Sequence, residues 1–382
     1  MPYYVRAGVL PAKRHTTYRV GDAFIHEEIL TTAGFSGPSS LMYRLAAPTR
    51  VTRMDAPTSM QRSGTFPYRN HRIRTKSVKP DGSMITGRVT LAFNDDMSYS
   101  LVAPNERVST FYRNGVADEL VLITSGTGTL RTQFGDLGYG PLDFLVIPRG
   151  VIVQWVPNAD DQRSLVIEAN SLLAPPIRYR GSSGQFLERA PFHERDLRPP
   201  ALQDPCDADG DFAIVVKGVG GVGTHWVDRH PFDLVGWEGY LFPYAFSMRD
   251  FEPITGRLHQ MPDTRQVFEA VGLAVCCASP ALMEDHPDAY PAQPHHTNVD
   301  YDEIFYRICT EEGATEGGGL GTATFHPRII PHGPKPGYES SSRRGRSTMF
   351  GLMVETAKPL MLTEEAFAIE DPEYHGEWIG DD

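Results

Sequence analysis

Between residues 294 and 307 the chain reads PHHTNVDYDEIFYR, where two adjacent imidazoles, His295 and His296, are followed by the carboxylates of Asp300, Asp302 and Glu303. A second histidine-bearing stretch follows at 325–334, FHPRIIPHGP, in which Pro331 and Gly333 flank His332 on a turn. Imidazole is a borderline ligand and carboxylate a hard one, so the mixture suits iron, manganese or zinc. Two histidines and one carboxylate form the facial triad of non-haem Fe(II) oxygenases. Three protein ligands hold the ion, and its remaining faces can accept a chelating substrate and dioxygen together. Zinc enzymes and structural metal sites use the same ligands, so spacing alone leaves the metal open.

These side chains need particular elements to bring them together. His296 and Glu303 are seven apart, an offset that puts them on opposite faces of a regular strand, so a turn must intervene. Asn298 and Asp300 are the turn formers placed to supply it. Glu303 then opens the strand-like run EIFYRI. Eight of the 13 histidines (His225, His230, His259, His286, His295, His296, His326 and His332) lie between positions 225 and 332, and His225, His230 and His286 read as surface or packing residues. The other half contrasts with this one. GPLDFLVIPRGVIV at 140–153 resembles the G…D…P-x-G signature of cupin barrels, but Val153 stands at the ligand position and no histidine lies between His71 and His193. A barrel without metal, structural or in subunit contact, is the expectation there.

Short runs rich in Val, Ile, Phe, Thr and Tyr, separated by Gly and Pro, predict a mainly β chain, a sandwich or barrel, and the resemblance of 140–153 to the cupin signature makes cupin or jelly-roll barrels the expected fold. Residues 118–155 read as a meander with turns at SGTG, FGDLGYG and PRG. Helical signals appear only at Met261 to Leu273 and Leu362 to Phe367. Arg195 to Asp211 reads as a long loop, and Ala278 to Pro294 as a break. The expected division is an N-terminal β domain without metal ligands at 1–250 and a C-terminal cupin domain with the metal site at 251–382. GVGGVG at 218–223 fits G-x-G-x-x-G, but Pro231 and a run of β-branched and aromatic residues follow, so it predicts a β connection and not a dinucleotide loop. SSRRGRS at 341–347 reads as a solvated or interface loop.

Composition removes other classes of function. The 382 residues suit two domains, and a net charge of −12 argues against nucleic acid or an anionic membrane as partner. No apolar run approaches the ~18 residues of a spanning helix. The N-terminus has no apolar core of a secretory signal, so a cytoplasmic protein is expected. Four cysteines are too few for a disulfide framework and are expected to be reduced.

The chain resembles the homogentisate 1,2-dioxygenase family. The similarity runs through GFSGPSSLMYRLAAPT (34–49), FYRNGVADEL (111–120), HPFDLVGWEGYLFPYAF (230–246), HHTNVDYDE (295–303) and PHGPKPGYE (331–339). The resemblance implies iron held by the His of an H-x-N motif, the Glu that ends that segment and the His of PHGP, here His296, Glu303 and His332. It implies His259, in GRLHQMPDTRQVF, as general acid/base, and His326, six residues before His332, as the residue steadying the substrate, with Asn298 and His332 beside it. The implied reaction is Fe(II)-dependent cleavage of homogentisate by dioxygen to maleylacetoacetate, in tyrosine and phenylalanine catabolism. The implied assembly is a trimer or a pair of trimers.

The sequence departs from the family at His295, where many members have an aromatic residue; His295 is therefore a rival ligand to His296. A different dihydroxyaryl acid is an alternative substrate. A zinc or manganese isomerase or lyase would differ in oxygen dependence, and a metal-free double-barrel binding protein in metal content.

Overall fold

The computed structural model describes residues 3–32, 38–56, 58–59, 62–158, 160–282, 285–287, 295–315, 317, 319–334 and 346–378. It is mainly β. A seven-stranded sheet contains Phe111–Asn114, Gly128–Thr132, Gly135–Tyr139, Ile152–Pro157, Asp209–Gly218, Gly221–Arg229 and Val51–Met54. An eight-stranded sheet contains Asp118–Ser125, Asp143–Ile147, Arg163–Ala169, Met97–Val102, Arg88–Phe93, Tyr244–Ser247, Leu197–Arg198 and Met361–Leu362. Of the turns expected within 118–155, SGTG and PRG join strands, but FGDLGYG is corrected by the structure: most of it is the strand Gly135–Tyr139, paired with Gly128–Thr132, and the strands of 118–155 divide between these two sheets instead of forming one meander. Such alternation between facing sheets is that of a jelly-roll, or cupin, barrel.

Burial identifies the middle layer. Asp143–Ile147 and Met97–Val102 are buried at every position, whereas Gly128–Thr132 alternates buried and half-buried residues. A strand buried on both faces must be apolar nearly throughout, and DFLVI is. On the far side of the eight-stranded sheet lies a six-stranded one, Gln266–Ala270, Leu273–Ala278, Met349–Thr356, Asp302–Thr310, Thr322–His326 and His71–Ile73. Edge-on ring contacts of Tyr99 with Phe325 at 6.1 Å and Phe144 with Phe268 at 5.5 Å join these two layers. Two strand exchanges cross residue 250. His71–Ile73 pairs with Thr322–His326, and Met361–Leu362 pairs with Arg88–Phe93.

The expected helix at Met261 to Leu273 is corrected by the structure: one 3-10 turn, Pro262–Arg265, leads into the strand Gln266–Ala270. Pairing with Leu273–Ala278 and burial of Phe268 against Phe144 outweigh the local helical signal. The other expected helix is present as Glu364–Ala368, capped by the Thr363 hydroxyl accepting from Ala366 N at 3.2 Å. GVGGVG forms a hairpin in which Gly218 pairs with Gly221. Gly221 has φ +129° and a Cβ there would meet Thr58 O at 1.9 Å, so only glycine fits. His230 is a packing residue, edge-on to Phe111 and Phe232. Arg346 of the basic run pairs with Glu311 at 2.7 Å, while residues 341–345 of that run lie outside the described residues. Among the described residues no helix is long and apolar enough to cross a membrane.

Between the seven- and eight-stranded sheets, charged groups occupy the interior. Arg88 clasps Glu119 through two bonds of 2.8 and 2.9 Å, and Asn114 Nδ2 reaches both Glu119 and Glu168 at 2.9 Å. Glu168 also accepts from Ser98 at 2.7 Å and from Lys217. Burial works against its charge, but Lys217 and Arg88 prevail and hold its pKa down at about 2. A depressed carboxylate contributes stability above its unfolded value of ~4.3 and loses it as pH falls toward the folded one; here the difference is worth ~3 kcal/mol. Glu168→Gln is therefore expected to lower the urea unfolding free energy by ~3 kcal/mol at pH 7, with the deficit shrinking as pH drops from 5 to 2.5. A deficit that stays constant across that range would remove Glu168 as the source.

Candidate metal centre

Strand alternation places the first candidate ligand. Along Asp302–Thr310, Ile304 and Tyr306 join the core, so Glu303 projects from the opposite face of the sheet. Register sets Glu303 directly beside His326 on one neighbouring strand and Glu355 on the other. Asp302, one residue earlier, is consumed structurally. Its carboxylate accepts from Arg328 N at 2.8 Å, Arg328 Nε at 3.0 Å and Leu360 N at 2.6 Å, and so anchors the segment leading to the PHGP turn.

The two histidines come together through a single antiparallel bridge. His296 N donates to His332 O and His332 N to His296 O, both at 3.0 Å. Directly bridged residues project to the same side, and the two imidazole centroids lie 4.2 Å apart. The bend between His296 and Glu303 falls at residues 299–300, and Asn298 O accepts from Ile329 N at 2.7 Å. Gly333 is required by the close approach of His295: a Cβ on it would lie 2.9 Å from His295 Cα. His295 itself turns out to solvent, its Nε2 2.9 Å from Pro334 O, and does not join the ligand group.

His296, Glu303 and His332 each offer one donor atom within 4.8 Å of the others. Glu303 Oε2 is 3.8 Å from His296 Nε2 and 3.7 Å from His332 Nε2. These separations are too long for hydrogen bonds and fall within the span of two ligands sharing one ion through bonds of ~2.1 Å. His332 Nδ1 donates to Ile330 O at 3.0 Å, which leaves the lone pair on Nε2, and that atom is buried without a hydrogen-bond partner among the described residues. A buried acceptor so placed is what a metal ion would complete, so the residues fit a divalent cation.

The electrostatics agree with the geometry. Burial opposes ionisation of Glu303, but polar contacts with His296, His326 and His332 hold its pKa well below the usual carboxylate range. Burial pushes His326 down toward the neutral form, against the pull of Glu303. Burial and then the charge of Glu303 push Glu355 up. The His296 side chain is 42% exposed, while those of Glu303 and His332 are 7% and 2% exposed, so small molecules approach from the His296 side.

The sequence of the protein is similar to known dioxygenases. The family description "Homogentisate 1,2-dioxygenase N-terminal" matches residues 83–248. A protein of Saccharolobus solfataricus named "Putative dioxygenase" is 34% identical over 99% of both chains. Homogentisate 1,2-dioxygenase of Rhodopseudomonas palustris is 24% identical over 98% of this chain and 90% of its own length. The chain belongs to the homogentisate 1,2-dioxygenase family. The Rhizobium rhizogenes homogentisate 1,2-dioxygenase is 25% identical over 78% of this chain and 66% of its own. Among solved structures, the Cupin 2 conserved barrel domain protein from Leptotrichia buccalis covers 78% of this chain at 10% identity and a TM-score of 0.35.

For this member of the homogentisate 1,2-dioxygenase family, the remaining expected residues fall at different distances from the ligand group. Asn298 lies beside it, its Nδ2 3.5 Å from Glu355 Oε1. His326 has both ring nitrogens engaged by protein, Nδ1 with Glu303 Oε1 at 2.8 Å and Nε2 with the Tyr374 hydroxyl at 3.3 Å. His259 is half-buried in the coil before Pro262–Arg265. It is outside the three-donor group, in a segment tied to residues 285–287 by His286 N donating to Arg257 O at 3.1 Å. Glu355 and Tyr374 carry no motif and were missed. Only register and the return of the tail bring them to Glu303 and His326.

Proposed function

We propose that this protein is an Fe(II)-dependent ring-cleaving dioxygenase that opens homogentisate with dioxygen to give maleylacetoacetate. The observation that carries this reading is the convergence of two imidazoles and one carboxylate on the buried, unpartnered Nε2 of His332, with one ligand facing solvent. Iron bound by His296, Glu303 and His332 would acidify a ring hydroxyl and bring an electron-rich ring beside dioxygen. The rest is done by the protein. His332 is held in one tautomer by Ile330 O, and Glu303 is held ionised by the surrounding imidazoles. In this proposal His259 accepts the proton of the ring hydroxyl and later returns it, and Asn298 contacts the substrate from the exposed side.

The test is anaerobic loading of the purified protein with Fe(II), followed by oxygen uptake with homogentisate and a panel of other dihydroxyaryl acids. One dioxygen consumed per homogentisate, with the ultraviolet band of a ring-opened product, is expected. Faster uptake with another acid would reassign the substrate, and no uptake with any acid would reject the reading.

A further inference from the structure

The segment from Glu370 to Trp378 is fastened to the early strand His71–Ile73 and its neighbours. Glu370 Oε1 lies 2.6 Å from His71 Nδ1 and 3.1 Å from Arg69, and Asp371 pairs with Arg72 and Arg74 at 3.0 and 2.9 Å. Glu377 pairs with the second amino group of Arg72 at 2.5 Å, and that guanidinium sits 4.1 Å from the centre of the Tyr374 ring. Backbone bonds from Arg74 N to Ile369 O at 2.9 Å and Asp371 N to Arg72 O at 2.7 Å complete the attachment. Its result is to seat Tyr374, 4% exposed, with its hydroxyl on His326 Nε2.

The protons in this chain follow from chemistry. An ionised carboxylate only accepts, so His326 Nδ1 must carry the proton that meets Glu303 Oε1 at 2.8 Å. The neutral ring then has its lone pair on Nε2, which the Tyr374 hydroxyl fills as donor. Burial keeps the phenol protonated, its pKa pushed up to about 12. With Oε1 occupied, Oε2 is the oxygen that faces His296 and His332.

We propose that Tyr374 is a positioning residue for the metal centre: by holding His326 through Nε2 it keeps the Nδ1–H of that ring on Glu303 Oε1 and so commits Glu303 to present one oxygen, Oε2, to the ion. The N- and C-terminal parts of the chain are thereby coupled to ligand geometry through their mutual clamp. This rests on the metal-binding reading above.

Tyr374→Phe keeps the ring and its contact with Arg72 and removes one hydroxyl. Cobalt(II) binding to the metal-free protein is measured under nitrogen against a competing chelator, with the visible spectrum of the cobalt form as a report on ligand geometry. Loss of such an outer hydrogen bond should weaken binding by roughly 10-fold and alter the spectrum, with unchanged circular dichroism. His326→Gln should show the same loss, and adding Tyr374→Phe to it should cost nothing further. Wild-type affinity and spectrum in Tyr374→Phe, or fully additive losses in the double variant, overturn the proposal while leaving the metal centre standing. A wild-type protein that binds no cobalt removes the metal reading instead. Should Tyr374→Phe not fold, Arg72→Gln, which loosens the clamp, must weaken cobalt binding; unchanged affinity there overturns the proposal equally.

Discussion

Glu303→Gln is expected to bind little or no iron and to lose more than ~100-fold in turnover, exceeding the loss typical of an outer-shell partner. Three facts set that size. Glu303 is the only carboxylate in the ligand group, it is buried, and His326 and the two ligand histidines hold it ionised. An amide of the same shape still accepts from His326 Nδ1 but brings no charge to neutralise a divalent cation. The fold should survive, since Asp302 and not Glu303 ties down Arg328 and Leu360. Iron content after anaerobic loading, turnover and circular dichroism check all three parts. Unchanged iron content and turnover would remove Glu303 as a ligand.

His259→Asn is expected to act differently. His259 is outside the three-donor group, so the variant should keep its iron and still bind homogentisate under nitrogen. As the proposed general base it should lose ~100-fold or more in the rate of a single turnover in air. Near-wild-type turnover would leave His259 as a packing residue of the 251–261 coil. Loss of iron would show instead that it reaches the metal.

Local composition was enough to read the β class, because alternating and β-branched runs between Gly and Pro turns have few other stable forms. The ligand types could be read for the same reason: imidazole and carboxylate crowded into HHTNVDYDE and PHGP have restricted chemistry wherever they fold. Even so, spacing alone did not choose among Asp300, Asp302 and Glu303, nor between His295 and His296. Register chose Glu303, by setting it across from His326 on the face away from the core, and the bridge to His332 chose His296. At Met261 to Leu273 the local signal failed outright, since sheet pairing and the Phe144–Phe268 contact are non-local.

The sequence by itself determined the inventory, namely mainly β structure, a histidine-poor half and a histidine- and carboxylate-rich half holding the three candidate ligands. Tertiary structure alone decided that Glu303 Oε1 meets His326 Nδ1 and that His326 Nε2 meets the Tyr374 hydroxyl, and which early residues clamp the tail. Those contacts join residues 23 to 305 positions apart, and no local pattern encodes a partner at that distance, because closing so long a loop is favoured only by the packing of the whole molecule.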